Sequence, residues 1–91
     1  MAKLFFLEIV SPEATVYEGD VESLVAPAAM GYLGVLADHA PLASDLAEGK
    51  ITLREAQGKT KMFACKGKGF IHIFHNRVTL ISAYPVAPLN S

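Results

Sequence analysis

Residues 3–10 spell KLFFLEIV, an octet whose side chains sort by parity: Phe5, Leu7 and Ile9 on one face, Leu4, Phe6, Glu8 and Val10 on the other. A repeat of two is the spacing of an extended strand. Both faces carry apolar side chains, so this strand offers more greasy surface than a single core face requires.

The rest of the chain is punctuated every eight to twelve residues, the rhythm of an all-β sandwich or barrel. SPEA (11–14) turns the chain, TVY (15–17) is a short strand and EGD (18–20) reads as another turn. VESLVAP (21–27) alternates Val21, Ser23 and Val25 against Glu22, Leu24 and Ala26. AAMG (28–31) bends, and YLGVL (32–36) makes a brief strand before ADHAP (37–41). LASDLAEG (42–49) fits either a helical turn or an extended segment through Leu42 and Leu46. KITLREA (50–56) alternates, QGK (57–59) is a hairpin turn, and TKMFACK (60–66) pairs back. GKG (67–69) reads as a second break before FIHIF (70–74), the turn HNR (75–77) and VTLISA (78–83). YPVAPLNS has two prolines and reads as extended, so a sandwich domain is expected over residues 1–84 and an extended tail over 85–91. No segment shows ten or more residues with a clean helical stripe. The expected fold is all-β, with two packed, mostly antiparallel sheets.

A chain of 91 residues supports one domain, and 52% hydrophobic against 19% charged residues is apolar for that size. Apolar side chains that a small core cannot bury mark surfaces for partners. The net charge of −1 argues against nucleic acid, whose phosphates need a basic face. The single Cys65 cannot form an internal disulfide, which fits a reducing compartment. No apolar run approaches the ~20 residues that cross a bilayer. In the opening MAKLFFLEIV, Glu8 interrupts the apolar run and no small-residue cleavage site follows, so it reads as a strand and not a signal peptide.

Reactive constellations are missing from the pattern. His72 and His75 lie three apart in or beside a strand and point to different faces, which is wrong for one metal ion. The serines lack a G-x-S-x-G elbow, and the carboxylates are scattered singly. GKGF (67–70) joins two strands and so lacks the helix amino terminus that makes a phosphate cradle. Lysines 59, 61, 66 and 68 read as a charged strand surface that discourages edge pairing. No catalytic residue, metal, nucleotide or cofactor is expected.

One stretch stands apart: GYLGVLADHAPLASDLAEGKI (31–51) puts large apolar side chains between glycines, then His39 and Pro41. It resembles the ε subunit of bacterial and chloroplast F-type ATP synthase (δ in mitochondria), a family that typically reads G-E-L-G-I-x-P-G-H-A-P-L and then places a glycine before a strand. Gly31, Leu33, Gly34, His39, Ala40, Pro41, Leu42 and Gly49 stand at matching positions. LEIVSPEATVYEGDVESLVAP is similar to the family's opening, with Ser11, Val21 and Glu22 in place. GKGF followed by NRVTLIS resembles its G-G-F/I…N-x-V-T-V-L segment, so the likeness runs from residue 4 to about 83.

The resemblance implies a ten-stranded sandwich of two five-stranded sheets. It also implies a non-catalytic part of the central stalk, held between the gamma (γ) subunit and the polar loops of the c-ring. It would lie peripheral to the membrane, on the cytoplasmic face of a bacterial inner membrane or the stromal thylakoid face in a plastid. By position, Ser11 and His39 fall where the family meets γ, and Met30, Gly31, Tyr32 and Leu33 fall at the ring-facing loop. Phe6, on the face opposite Phe5 and Leu7, is a further candidate for γ contact. The family usually has acids at the positions of Met30 and Tyr32, and Pro-Gly at those of Ala37 and Asp38. Packing by Tyr32 is expected to replace the charge pair with the ring. Nothing after the sandwich resembles the family's carboxy-terminal helical hairpin; the chain reads as a short form or as a piece of a longer one, and in the first case no helix-mediated inhibition or ATP sensing is expected. The alternative from a different class is a biotinyl or lipoyl carrier domain modified at Lys61, since Lys61-Met62 is half of its A-M-K-M motif.

Overall fold

The structure, a computed structural model, describes residues 3–89. They form seven strands and no helix: β1 (Phe5–Val10), β2 (Thr15–Ala28), β3 (Gly31–Leu36), β4 (Leu42–Glu55), β5 (Thr60–Phe74), β6 (Arg77–Ser82) and β7 (Ala87–Leu89). Pairing runs β1–β2, β2–β4, β4–β5, β5–β6 and β6–β1, so five strands close a ring. β3 flanks this ring on β2, and β7 flanks it on β5. Every pairing is antiparallel except β1 with β6.

The all-β, mostly antiparallel class expected from the sequence holds, but the count of ten strands in two separate sheets does not. There are seven strands in one hydrogen-bonded network, because β2, β4 and β5 each run through a position where the sequence reading breaks the chain. EGD is not a turn: Glu18, Gly19 and Asp20 pair with Glu8, Leu7 and Phe6. LASDLAEG is extended and continues without interruption into KITLREA. GKG is a bulge inside β5 and not a break. Between the pairs Leu46–Gly69 and Glu48–Lys66, Ala47 faces two residues, Gly67 and Lys68. Gly67 has φ +92°, and a Cβ there would come within 3.0 Å of the Glu48 backbone nitrogen, so the extra residue is accommodated by the lack of a side chain.

A second irregularity, between Val21 and Ser23 in β2, inverts the expected parity. Val21 faces the core, but beyond the shift Leu24 and Ala26 are buried, while Val25 turns outward. One residue of slip moves every later side chain to the other face. Phe5, Leu7 and Ile9 enter the core as their spacing predicts, and they meet Ile51, Leu53, Phe63, Ile71, Ile73 and Leu80 there. Cys65 is part of this interior; its sulfur accepts a hydrogen bond from the Gly67 N–H at 3.4 Å. Within the stretch expected as a tail, Val86 is buried and Ala87–Leu89 lie against Ala64–Met62 of β5. Residues 90 and 91 of that tail lie outside the described residues.

Candidate functional site

The outward face of β1, β6 and β5 is a ladder of registered rows. Val10, Ile81 and Phe70 stand side by side, as do Glu8, Thr79 and His72, and then Phe6, Arg77 and Phe74. Phe70 is 62% exposed, Phe74 50% and Ile81 47%, large apolar side chains that this chain leaves uncovered. Phe6 is half-buried beneath the Arg77 guanidinium, which sits 4.8 Å from its ring centroid. The face opposite the core therefore carries apolar rows with a polar row, Glu8, Thr79 and His72, between them, and its boldest apolar members are Phe70, Phe74 and Ile81, which the sequence reading passed over. The parity of FIHIF carried that signal, since Phe70, His72 and Phe74 must share a side.

The two other residues assigned to γ contact by position fall near opposite ends of β1. Ser11 follows Val10 directly; it is buried, and its hydroxyl donates to the Ala14 carbonyl at 3.2 Å within the SPEA turn. His39 lies toward the Phe6 end, in the loop between β3 and β4. Its backbone N–H donates to the Leu36 carbonyl at 3.2 Å, and its Nδ1 lies 2.7 Å from the Ala40 carbonyl. A carbonyl only accepts, so Nδ1 is the protonated nitrogen.

Beside His39 is a polar cluster that sequence reading did not find. Asp38 and Asn76, from the loop and from the turn before β6, pair reciprocally: the Asp38 N–H donates to Asn76 Oδ1, and Asn76 Nδ2 donates to Asp38 Oδ1 at 2.9 Å. Lys3 Nζ reaches both Asp38 oxygens at 2.8 Å. The Lys3 ammonium, then the Asn76 amide, hold the Asp38 carboxyl below the usual carboxylate range. Thirty-eight residues separate the pair, and no local pattern joins them.

At the β2–β3 turn, Met30 is 99% exposed and Tyr32 62%. Gly31 is exposed with φ +119°, and Leu33 is half-buried against the core. Tyr32 projects but is not loose: its hydroxyl accepts from the Lys50 N–H at 3.1 Å. Its ring crosses Gly49, where a Cβ would lie 2.6 Å from the phenol oxygen and 2.9 Å from Pro27 Cβ.

The remaining candidates for chemistry stay apart. A cleft of about 740 Å³ lies between β2, the start of β5 and β7, lined by Tyr17, Lys59, Lys61, Phe63 and Leu89 among others. In it Tyr17 donates to Glu55 Oε2 at 2.7 Å, and Lys61 Nζ lies 3.4 Å from the same oxygen. Burial, then the Glu55 bond, push the Tyr17 phenol upward, so it stays protonated and is no base near neutral pH. Lys61 stands on β5 beside this carboxylate and not at the Ala56–Gly58 tip of the hairpin, which is not how a carrier lysine is presented. His72 is on the outward face of β5 and His75 in the following turn, its ring 4.0 Å from that of Phe74. Among the described residues no group of three His, Cys, Asp or Glu side chains converges.

Residues 4–84 match the family model described as ATP synthase, Delta/Epsilon chain, beta-sandwich domain. The chain belongs to this ATP synthase delta/epsilon family. It is 40% identical over 86 residues to the ATP synthase epsilon chain of Caulobacter vibrioides, covering 94% of this chain and 96% of that one. It is 37% identical over 76 residues to the ATP synthase epsilon chain of Leptospira borgpetersenii, of which it spans only 58%. Among solved structures its fold is similar to a chain in the mitochondrial ATP synthase of Euglena gracilis (TM-score 0.85, 22% identity, 93% of this chain and 53% of that one). It is also similar to a chain in the central stalk and c-ring of Tetrahymena thermophila mitochondrial ATP synthase, with TM-score 0.73, 13% identity, 93% coverage of this chain and 66% of that one. Membership sets the carrier reading aside. In this delta/epsilon-family chain Gly49, a residue within β4, is what admits the Tyr32 ring.

Proposed function

We propose that this epsilon-family chain is a non-catalytic central-stalk subunit of an F-type ATP synthase, gripped by the γ subunit on one surface and by the c-ring loops on another. It helps couple ion-driven rotation to ATP synthesis, and it lies peripheral to the membrane through the ring. The observation that carries this reading is the ladder on β1, β6 and β5. Val10, Ile81 and Phe70 form an unbroken apolar row, with Phe6, Arg77 and Phe74 two steps along. Exposed apolar rows on a small sandwich are what a lasting partner covers. Phe6 stands in this ladder, Ser11 and His39 lie beyond its two ends, and all three belong to the same γ contact.

Met30, Gly31, Tyr32 and Leu33 make the ring-facing contact. Where relatives of this family carry acids, Tyr32 offers a ring pinned by Lys50 and seated over Gly49. Torque transfer needs stiffness and two grips, and a densely packed interior supplies the first. Reconstitution with γ and c-ring from the same source tests the reading. Wild-type protein co-purifies with both; Ile81→Glu on the ladder releases γ and leaves the thermal transition within a few degrees. A wild-type chain that binds neither overturns the assignment.

A further inference from the structure

We infer that Asp38 and Asn76 are positioning residues, which lock His39 and Phe6 into one arrangement for γ; the inference rests on the central-stalk reading. Asn76 is where the two candidate contacts meet. Its backbone carbonyl accepts from the Phe6 N–H at 2.9 Å, while its side-chain amide pairs with both the backbone and the carboxylate of Asp38, the residue before His39. Lys3 clamps the same carboxylate from the amino-terminal side. Three segments distant in sequence are thus tied to one another at the edge of the apolar ladder.

Both members of the pair sit in the left-handed region, Asp38 at φ 65° and Asn76 at φ 59°. Asp and Asn tolerate that conformation better than other side-chain-bearing residues. Stability is a poor explanation for the network. The Lys3 and Asp38 side chains are 64% and 60% exposed, and ion pairs so placed contribute little to folding. What the network does fix is direction. With Asp38 held, the loop presents His39 at the mouth of a 270 Å³ cleft lined also by Ala40, Pro41, His75 and Asn76. Nδ1 is committed to the Ala40 carbonyl, so Nε2 is the nitrogen left to meet a partner. A loop ordered before binding does not have to be ordered during it, and that raises affinity without a new contact.

The consequence is separable from stability. Asp38→Gly keeps access to positive φ but removes the carboxylate, and Asp38→Asn keeps an acceptor for Asn76 Nδ2. By isothermal titration with purified γ, Asp38→Gly weakens binding roughly three- to tenfold, the cost of ordering a few side chains on association. Asp38→Asn stays within about twofold of wild type, a rescue that a purely electrostatic role for Asp38 would not give. His39→Ala weakens wild type more than it weakens Asp38→Gly, because the two act through one another. Asn76→Gly, which also permits positive φ, repeats the Asp38→Gly result on the other partner. If wild type fails to bind γ, the stalk reading falls. If wild type binds and both glycine variants bind equally well, the stalk reading stands and the clamp is wrong.

Discussion

The Tyr32 hydroxyl accepts a hydrogen bond from the Lys50 backbone N–H at 3.1 Å, and the space its ring occupies exists because residue 49 has no side chain. An exposed aromatic is thereby held at a fixed angle on the turn that carries Met30. Gly49→Ala places a Cβ 2.6 Å from the phenol oxygen and 2.9 Å from Pro27. It is expected to cost about 1–3 kcal/mol, the usual range for overpacking. Urea denaturation measures the loss. Adding Tyr32→Ala recovers part of it, and Pro27 accounts for the remainder.

Glu55 makes the fold sensitive to acid. The Tyr17 phenol, then Lys61, hold its carboxyl below the ordinary carboxylate range. A carboxyl lowered on folding stabilises above its unfolded pKa, ~4.3 for glutamate, and that stabilisation is lost as pH falls through the folded value. The urea midpoint of wild type should therefore drop on acidification below about pH 5, and Glu55→Gln should show a shallower drop. Tyr17, raised on folding, acts in the opposite direction: its contribution is intact below its unfolded pKa near ~10 and fades as pH climbs above that. Tyr17→Phe removes the alkaline component.

Lys68 is exposed at φ 55° inside the β5 bulge, where a side chain is a burden to the backbone. Lys68→Gly should raise stability by up to about 1 kcal/mol, the left-handed penalty less the added freedom of glycine in the unfolded chain. The same change at Lys66, an exposed neighbour with ordinary strand pairing, should lower it. Thermal unfolding of the two variants side by side distinguishes these outcomes.

Leu7→Ala empties a fully buried position at the centre of β1. About 2–5 kcal/mol is expected to be lost, with no change at the outward ladder. Leu7→Met, which conserves volume, should lose less than about 1.5 kcal/mol. Chemical denaturation of the three proteins provides the check.

How much of this was legible in the sequence depended on distance along the chain. The parity of Phe5, Leu7 and Ile9 is local, and it placed the first strand and its inner face correctly. EGD and GKG carry turn-forming residue types, yet pairing with β1 and β4 overrides those preferences; a partner strand many residues away makes the decision. The inversion of Val21 and Leu24 across a bulge was hidden for the same reason. Asp38 and Asn76 were invisible as a pair, because only the folded chain brings the β3–β4 loop to the β5–β6 turn. The turn residues HNR were recognised, but not what Asn76 would hold.

The circuit of β1, β2, β4, β5 and β6 has a mechanical consequence. Each of its members pairs with two others of the circuit, so none hangs on a single neighbour like the outermost strip of an open sheet. A tangential load on the ladder must shear many bonds together before any member yields. Among the described residues β3 and β7, attached outside the loop of five, are each held by one strand alone, a flank from which unzipping can begin.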